Sequence, residues 1–276
     1  MSRSRQTLLI AVLVALTITL STRADYRDNS KAIKVSGGED HTLVLTADKG
    51  AWGCGPNGGY AFGYHYYGVL GTGSEDWNLK QKTLVRVHDG AMGTESERLE
   101  NINDIAAGWM HSLALDVNGF VWSWGWNSEG QLGDGWQIAR TTPVQVLRGE
   151  QAPEDPIDPD PNLARIIAIS AGRSGRHSLA VDANGYAYAW GYNKYGQCGN
   201  DVNDCNEWTP VHVHQGAQPV DPNDANDWLK HIVDICAGSD QSISVEKDDP
   251  SDPNFNGCVY TWGTNRWGGT TPGMME

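Results

Sequence analysis

The chain has 276 residues and a formal net charge of −14 at pH 7, a length that suits one large domain or two small ones. An acidic surface repels a phosphate backbone, so the charge argues against a nucleic-acid partner. The 33 glycines and 12 tryptophans accompany short apolar runs without a helical period, which favours all-β structure over a helical protein.

The first 24 residues have the pattern of a secretory signal peptide. Arg3 and Arg5 supply a positive start, an uncharged apolar run extends from Leu8 to Leu20, and residues 22–24 approximate a cleavage site. The run is short for a membrane span, which needs about 20 residues. A membrane anchor or a buried core segment are the alternatives. We therefore expect a secreted, periplasmic or cell-surface protein without a membrane span after cleavage.

Beyond the signal peptide, one block of sequence recurs. Residues 106–135 read AAGWMHSLALDVNGFVWSWGWNSEGQLGDG, and related blocks occupy residues 37–55, 171–201 and 237–269. The recurring positions are His41, His111 and His177, with Gln241 in the fourth copy, and the Trp-Gly pairs that begin at Trp52, Trp124, Trp190 and Trp262. A nearly constant spacing of this size indicates a repeat architecture.

Each repeat contains four extended pieces, of the form I-x-x-I-x-A-G, H-S-L-A-L-D, V-W-S-W-G and P-V-x-V. Apolar and small residues alternate in these pieces, as in Leu113 and Leu115, which is typical of strands. The D-V-N-G segment at residues 116–119 is a turn signal. Four strands in each repeated unit predict β-propeller blades. We place the repeat domain at residues 25–276, with repeat cores near 35–73, 102–146, 166–213 and 232–269.

The second and third copies resemble the repeat of the regulator of chromosome condensation family. That resemblance implies a seven-bladed propeller, whereas this chain has four copies. We therefore expect an all-β propeller of about four blade equivalents, incomplete relative to seven blades, in a secreted, bacterial-type member. Its open ends would leave sheet faces available for self-association.

The recurring histidines and tryptophans are interpreted as structural positions, because the same residue recurs in blade after blade. We expect each imidazole to bond to neighbouring backbone. A histidine followed by serine does not make a catalytic pair within one strand, since adjacent side chains point to opposite faces. No catalytic residue and no cofactor are predicted.

Aromatic residues in the loops are the predicted binding positions, because rim aromatics often contact proteins or carbohydrates. The chosen residues are Tyr66, Tyr67, Trp109, Trp136 and Trp208. Trp126 and Tyr192 belong to the same group of loop aromatics. The alternative is that aromatics near the blade turns, Trp126 among them, only cover the blade edge.

Cys198 and Cys205 flank one loop and are the strongest candidates for a disulfide, which an exported protein can form. Cys236 and Cys258 are a weaker pair, Cys54 is left over, and buried free thiols are the alternative. No cysteine spacing suggests zinc. The chain also contains acidic, proline-rich segments. One of them begins like a calcium loop at Asp252 but lacks the glutamate that such a loop needs, so no metal is predicted.

These observations predict a secreted, non-catalytic propeller scaffold that binds an unknown protein or surface ligand. The first alternative is a cell-surface enzyme, or an enzyme-inhibitor module, that acts near polysaccharide. The second is guanine-nucleotide exchange or chromatin binding, which the family resemblance implies. The export signal, the acidic charge and the missing blades all argue against that second alternative.

Overall fold

The computed structural model describes residues 31–61, 64–92, 98–151, 162–202, 204–216, 227–247 and 257–264. The predicted signal peptide and the start of the calcium-like loop at Asp252 lie outside these residues. Within the described part of the chain, no helix is long and apolar enough to cross a membrane.

The strands form successive antiparallel sheets in chain order. Blade 1 contains β1 (Ala32–Gly37), β2 (Thr42–Thr46), β3 (Ala51–Pro56) and β6 (Lys80–Arg86), with the hairpin β4 (Gly58–Ala61) and β5 (Tyr64–Tyr67) inserted after β3. Blade 2 contains β7 (Ile102–Ala107), β8 (His111–Asp116), β9 (Val121–Gly125) and β10 (Arg140–Gln145). Blade 3 contains β11 (Ile166–Ala171), β12 (His177–Asp182), β13 (Ala187–Gly191) and β14 (Glu207–His212). Blade 4 contains β15 (Ile232–Ala237), β16 (Gln241–Glu246) and β17 (Val259–Gly263). A 3₁₀ turn at Gly90–Met92 precedes blade 2. The predicted all-β class and the blade construction are confirmed.

The turn between the second and third strands forms as its sequence predicts. In blade 2, the Asp116 carboxylate accepts hydrogen bonds from the backbone N–H groups of Asn118 at 2.8 Å and Phe120 at 3.1 Å. Gly119 adopts a φ of 86°, a left-handed conformation that favours glycine. Asp182 forms the same turn in blade 3. This turn sets the β8–β9 register, in which Leu113 lies opposite Ser123.

Large side chains fill the space between neighbouring blades. Leu113 and Leu115 of blade 2 share one buried cluster with Tyr188 and Trp190 of blade 3. Equivalent clusters join blade 1 to blade 2 and blade 3 to blade 4. The hydrophobic core is therefore a series of layers between sheets, and each blade depends on its neighbours for burial.

The structure corrects the predicted position of Trp52. Val44 pairs with Trp52 in blade 1, and the equivalent pair in blade 2 is Ala114 with Trp122. Trp52 therefore matches Trp122, and Cys54 stands where the other blades have the tryptophan of the Trp-Gly pair. The indole N–H of Trp52 donates to Thr46 Oγ1 at 3.1 Å, as that of Trp122 donates to Asp116 Oδ2 at 3.0 Å. The turns between the second and third strands have the same length in blades 1 and 2, and Trp52 and Trp122 each lie 11 residues after the repeated histidine.

The predicted disulfide between Cys198 and Cys205 is not formed in the structure. Both thiols are free; Cys198 is buried and Cys205 is exposed. Cys198 belongs to the core cluster between blades 3 and 4, and its backbone N–H donates to Asn193 Oδ1 as that of Leu132 donates to Asn127 Oδ1. It is therefore the blade 3 counterpart of a buried leucine. Burial raises the pKa of the Cys198 thiol well above its usual range, which makes it unreactive.

The outer face of blade 4 is less covered than the equivalent faces of the other blades. Ile243 is 38% and Val245 39% exposed, whereas the equivalent Leu179 and Val181 of blade 3 are fully buried by blade 4. An exposed apolar sheet face is where a further blade would pack. Self-association through this open end stays a prediction.

Candidate binding surface

The loops between the first two strands of all four blades meet at one end of the molecule. Blade 3 has a longer loop here than blade 2: its loop comprises residues 172–176, whereas that of blade 2 comprises residues 108–110. The backbone N–H of Trp109 donates to Gly175 O at 3.3 Å, and the Ser174 hydroxyl donates to Glu39 at 3.3 Å. The Ser239 hydroxyl donates to Ser174 O at 3.3 Å. This loop therefore ties the four blades together at that end.

A row of stacked side chains crosses this end of the molecule. The rings of Tyr66 and Trp126 stack with centroids 5.5 Å apart at an interplanar angle of 18°. Trp126 and Trp109 stack at 5.8 Å and 27°. Tyr66 is largely buried, while both tryptophans are half-buried. Blade 1 and blade 2 thus present a continuous aromatic surface with accessible ring area.

Arg176 extends the row into blade 3. Its Cζ lies 3.9 Å from the ring centroid of Tyr192 and 5.8 Å from that of Trp109. Its Nη1 lies 3.1 Å from Glu129 Oε1. A guanidinium that stacks on rings and pairs with a carboxylate combines cation–π and ionic attraction. We call Tyr66, Trp126, Trp109, Arg176 and Tyr192 the aromatic row.

Carboxylates border the aromatic row at its blade 1 end. The Tyr66 hydroxyl donates to Asp40 Oδ2 at 3.2 Å. Burial, followed by the negative charges of Asp40 and Glu39, raises the pKa of Tyr66 to about 12. Both carboxylate residues are exposed. The surface therefore combines aromatic faces with negative charge, an arrangement suited to a cationic group.

The repeated histidines are buried structural residues, but their partners differ from those predicted. Each Nε2 lies within hydrogen-bond distance of the serine that follows the histidine position in the next blade. The pairs are His41–Ser112 at 2.9 Å, His111–Ser178 at 3.0 Å and His177–Ser242 at 2.9 Å. The prediction of a backbone partner was wrong, because the interblade distance lets an imidazole reach a hydroxyl across the gap.

Each serine hydroxyl donates a hydrogen bond to a main-chain carbonyl. The Ser178 hydroxyl donates to Gln131 O at 2.8 Å, and the indole N–H of Trp190 donates to the same oxygen at 2.9 Å. With the hydroxyl proton engaged there, the His111 Nε2–H donates to Ser178 Oγ. Equivalent pairs converge on Val69 O and Gln197 O. We call each such group of histidine, serine, tryptophan and carbonyl a blade joint.

Gly38 and Gly108 stand three residues before His41 and His111 and make room for the imidazole rings. A Cβ at Gly108 would lie 2.2 Å from Cε1 and 2.5 Å from Nδ1 of His111. We expect Gly108→Ala to lower the free energy of unfolding by about 1–3 kcal/mol, since the buried ring has to shift. Urea denaturation followed by circular dichroism measures this. The matched control is Gly37→Ala, because a Cβ there meets nothing within 4 Å; an equal loss in both variants would contradict the explanation.

Comparison with known proteins identifies the repeat. A model of the regulator of chromosome condensation (RCC1) repeat matches residues 118–181 and 184–245, and a second model of that repeat matches residues 102–131 and 166–197. Together the matches extend over just over half of the chain. This chain belongs to the regulator of chromosome condensation repeat family. The blade joint of His111, Ser178, Trp190 and Gln131 O lies entirely within the matched RCC1 repeats.

Known RCC1-repeat relatives are longer than this chain. It is 30% identical over 240 residues to a bifunctional kinase and NEDD4-like ubiquitin ligase of Dictyostelium discoideum, a match with 85% of this chain and 11% of that protein. It is 33% identical over 142 residues to the ultraviolet-B receptor UVR8 of Arabidopsis thaliana, with coverage of 51% and 26%. The solved structure of Prp20p from Saccharomyces cerevisiae matches with a TM-score of 0.58 and 22% identity, over 85% of this chain and 44% of Prp20p; this likeness shows the fold.

The five predicted binding residues separate into two regions of the RCC1-repeat fold. Tyr66 and Trp109 belong to the aromatic row, and half-buried Tyr67 follows Tyr66 in β5. Trp136 is 60% and Trp208 46% exposed. These two flank another loop, since the Gly135 N–H donates to Trp208 O at 3.1 Å. The structure therefore does not bring all five residues together.

Sequence reasoning did not select Trp126, Arg176 and Tyr192 for the row. Trp126 and Tyr192 each follow the glycine of a Trp-Gly pair, and Arg176 precedes a repeated histidine. The prediction assigned binding to residues outside the RCC1 repeat pattern, whereas two of the five residues of the row, Trp126 and Tyr192, stand at repeat positions. An aromatic residue at these two positions in consecutive repeats was the available signal.

Other polar groupings lie away from the aromatic row. Two shallow grooves at the opposite ends of the strands are lined in part by Asp116 and Asn118. The ligand atoms of Asp201, His214 and Asp227 lie within 4.8 Å of one another, and His214 Nδ1 is 2.8 Å from Asp201 Oδ2. These three groups are the described residues best placed to hold a cation, although a hydrogen bond between the His214 imidazole and the Asp201 carboxylate accounts for the contact. The expectation of no metal stays a prediction.

Proposed function

We propose that this chain is an exported, non-catalytic scaffold that binds a protein partner through the aromatic row. The observation that carries the proposal is the unbroken stack from Tyr66 through Trp126 and Trp109 to Arg176, across three blades. Partly exposed aromatic and arginine side chains are the residues that contribute most to protein interfaces. Export is supported by the composition of residues 1–24.

Protein binding also agrees with what is described for a structural neighbour. Prp20p, which shares the fold, is described together with its binding to Gsp1p and histones. Since this chain spans 44% of Prp20p and smaller parts of the curated relatives, their partners are not assigned to it. The family supports binding as the type of function, and the aromatic row supports its location.

Binding is proposed over catalysis because of how the histidine–serine pairs are arranged. An imidazole next to a hydroxyl is the arrangement of a base and its nucleophile. In the blade joints, however, the serine hydroxyl donates its hydrogen bond to a carbonyl, and the histidine donates to the serine rather than accepting from it. His111 and Ser178 are also completely buried, so a substrate has no access. The pairs act as connections between blades.

The proposal is tested by site-specific photo-crosslinking of the full chain. A photoreactive phenylalanine analogue replaces Trp126 in one preparation and Trp136 in another, and both are exposed to envelope and culture proteins. We expect the row position to yield a saturable crosslinked species that unlabelled wild-type chain displaces. The Trp136 position, exposed but outside the row, should not yield it. Identical crosslinked species from both positions, or none that wild-type chain displaces, would contradict a role for the row.

A further inference from the structure

We propose that the aromatic row recognises guanidinium groups, and that its partner presents arginine from a positively charged, extended protein segment. This rests on the proposed function for the existence of a protein partner. The recognition chemistry follows from the side chains of the row and its surroundings. It defines the class of ligand: a cationic peptide segment in which arginine is preferred to lysine.

The row already holds one guanidinium group. Arg176 stacks on Tyr192 at 3.9 Å, lies 5.8 Å from the Trp109 ring and pairs with Glu129 at 3.1 Å. These are the three components of arginine recognition: flat aromatic faces, a carboxylate, and partial removal from water. Because Arg176 comes from the longer blade 3 loop, it acts as an internal example of the ligand that this surface accommodates.

The same components recur at the other end of the row. The stacked pair of Tyr66 and Trp126 lies beside the exposed carboxylates of Asp40 and Glu39. Asp40 is held against the ring edge by the Tyr66 hydroxyl at 3.2 Å. A carboxylate at the edge of a ring stack lets an incoming guanidinium lie on the ring and form an ionic hydrogen bond at once.

The charge of the whole molecule favours the same class of ligand. A net charge of −14 attracts a cationic segment over a distance and repels nucleic acid and anionic lipid. Arginine is preferred over lysine because its planar group stacks on a ring, whereas an ammonium acts as a strongly hydrated point charge. An extended segment is needed because the row crosses three blades and its rings are reached one after another.

The experiment measures fluorescence anisotropy of short labelled peptides with the full chain. One peptide alternates glycine and arginine, a second has lysine and a third has citrulline, the neutral analogue of arginine. We expect the arginine peptide to bind at least about 3-fold more tightly than the lysine peptide, as exposed cation–π energies allow. The citrulline peptide should bind at least about 10-fold more weakly than the arginine peptide, and added salt should weaken binding of the arginine peptide. Equal binding of the arginine and citrulline peptides would overturn the proposal.

Substitutions locate the binding. Trp126→Leu is expected to weaken binding of the arginine peptide about 10-fold. The matched Trp136→Leu should leave that binding unchanged, since Trp136 is 60% exposed and outside the row. The double variant Glu39→Gln and Asp40→Asn changes exposed side chains without changing their size, so it tests the carboxylates in a chain that keeps its fold. Equal effects of the two tryptophan variants, together with an unchanged double variant, would overturn the inference.

The two proposals fail in different ways. If a partner protein crosslinks at Trp126 but not at Trp136 and the arginine peptide does not displace that partner, guanidinium recognition is wrong and the scaffold proposal stands. If the arginine peptide binds at the row while crosslinking at Trp126 and Trp136 is the same, the surface chemistry is right and the protein-binding role of the row is wrong.

Discussion

Replacement of Trp190 by alanine is expected to lower the free energy of unfolding by about 3–5 kcal/mol. The side chain is fully buried between blades 2 and 3, so its loss leaves a cavity where the blades meet. Its indole N–H also donates to Gln131 O at 2.9 Å. That oxygen keeps the Ser178 hydroxyl as a partner, so most of the loss comes from packing.

Chemical denaturation followed by circular dichroism measures this change. Trp136→Ala is the matched control, because it removes the same side chain from an exposed position; its effect should stay within about 0.5 kcal/mol. Trp190→Phe should recover part of the loss, since a ring still fills much of the space. Similar losses in Trp190→Ala and Trp136→Ala would mean that the blades do not depend on these interblade layers.

Acidification is expected to destabilise the protein steeply between about pH 6.5 and pH 4, because the blade joints bury neutral histidines. Burial lowers the pKa of His41 to about 4 and that of His177 to about 4. Burial, with the other two histidines, lowers the pKa of His111 to about 3. In the unfolded chain these imidazoles bind protons below pH 6.5. Since the unfolded state binds more protons, the free energy of unfolding falls by about 1.4 kcal/mol per pH unit for each histidine.

His111→Gln isolates the contribution of one joint. Glutamine is the residue that blade 4 carries at this position, where Gln241 donates to Thr264 O at 2.8 Å. The variant should be less stable than the wild type at pH 7, but its free energy of unfolding should fall less on acidification. The slope of that free energy against pH should therefore be smaller by about 1.4 kcal/mol per pH unit. Urea denaturation at a series of pH values measures both slopes, and carboxylates cancel in their difference. Equal slopes would show that His111 does not remain neutral in the folded state.

The blades were predictable because their signals lie within a few residues of one another. The apolar alternation around Leu113 and the D-V-N-G turn at residues 116–119 each act over one strand or hairpin, and the chain repeats them in blade after blade. The structural role of the repeated histidines was also predictable, since a residue used in consecutive blades has a common packing task. The nature of their bond was not, because each partner serine lies about one full repeat further along the chain.

Two errors have different origins. The sequence comparison aligned Trp52 with Trp124 because both precede a glycine, whereas the strand register matches Trp52 to Trp122. Cys198 was predicted to form a disulfide with Cys205 because the two residues flank a loop. In the structure the Cys198 side chain lies in the core, at the position that Leu132 occupies in blade 2. Spacing from the repeated histidine already separates Trp52, at 11 residues, from Trp124, at 13. The burial of Cys198, in contrast, depends on packing against the next blade.

Periodicity and turn chemistry in the chain were sufficient for the all-β class, the blades and the family, because these are properties of short segments repeated many times. The blade joints and the aromatic row were decided only by the tertiary structure. Trp126 of blade 2 meets Tyr66 of blade 1, and Arg176 of blade 3 reaches Trp109, through packing between sheets whose contacting residues lie tens of residues apart. A surface made in this way takes its shape from how the blades stand against one another, which no single repeat specifies.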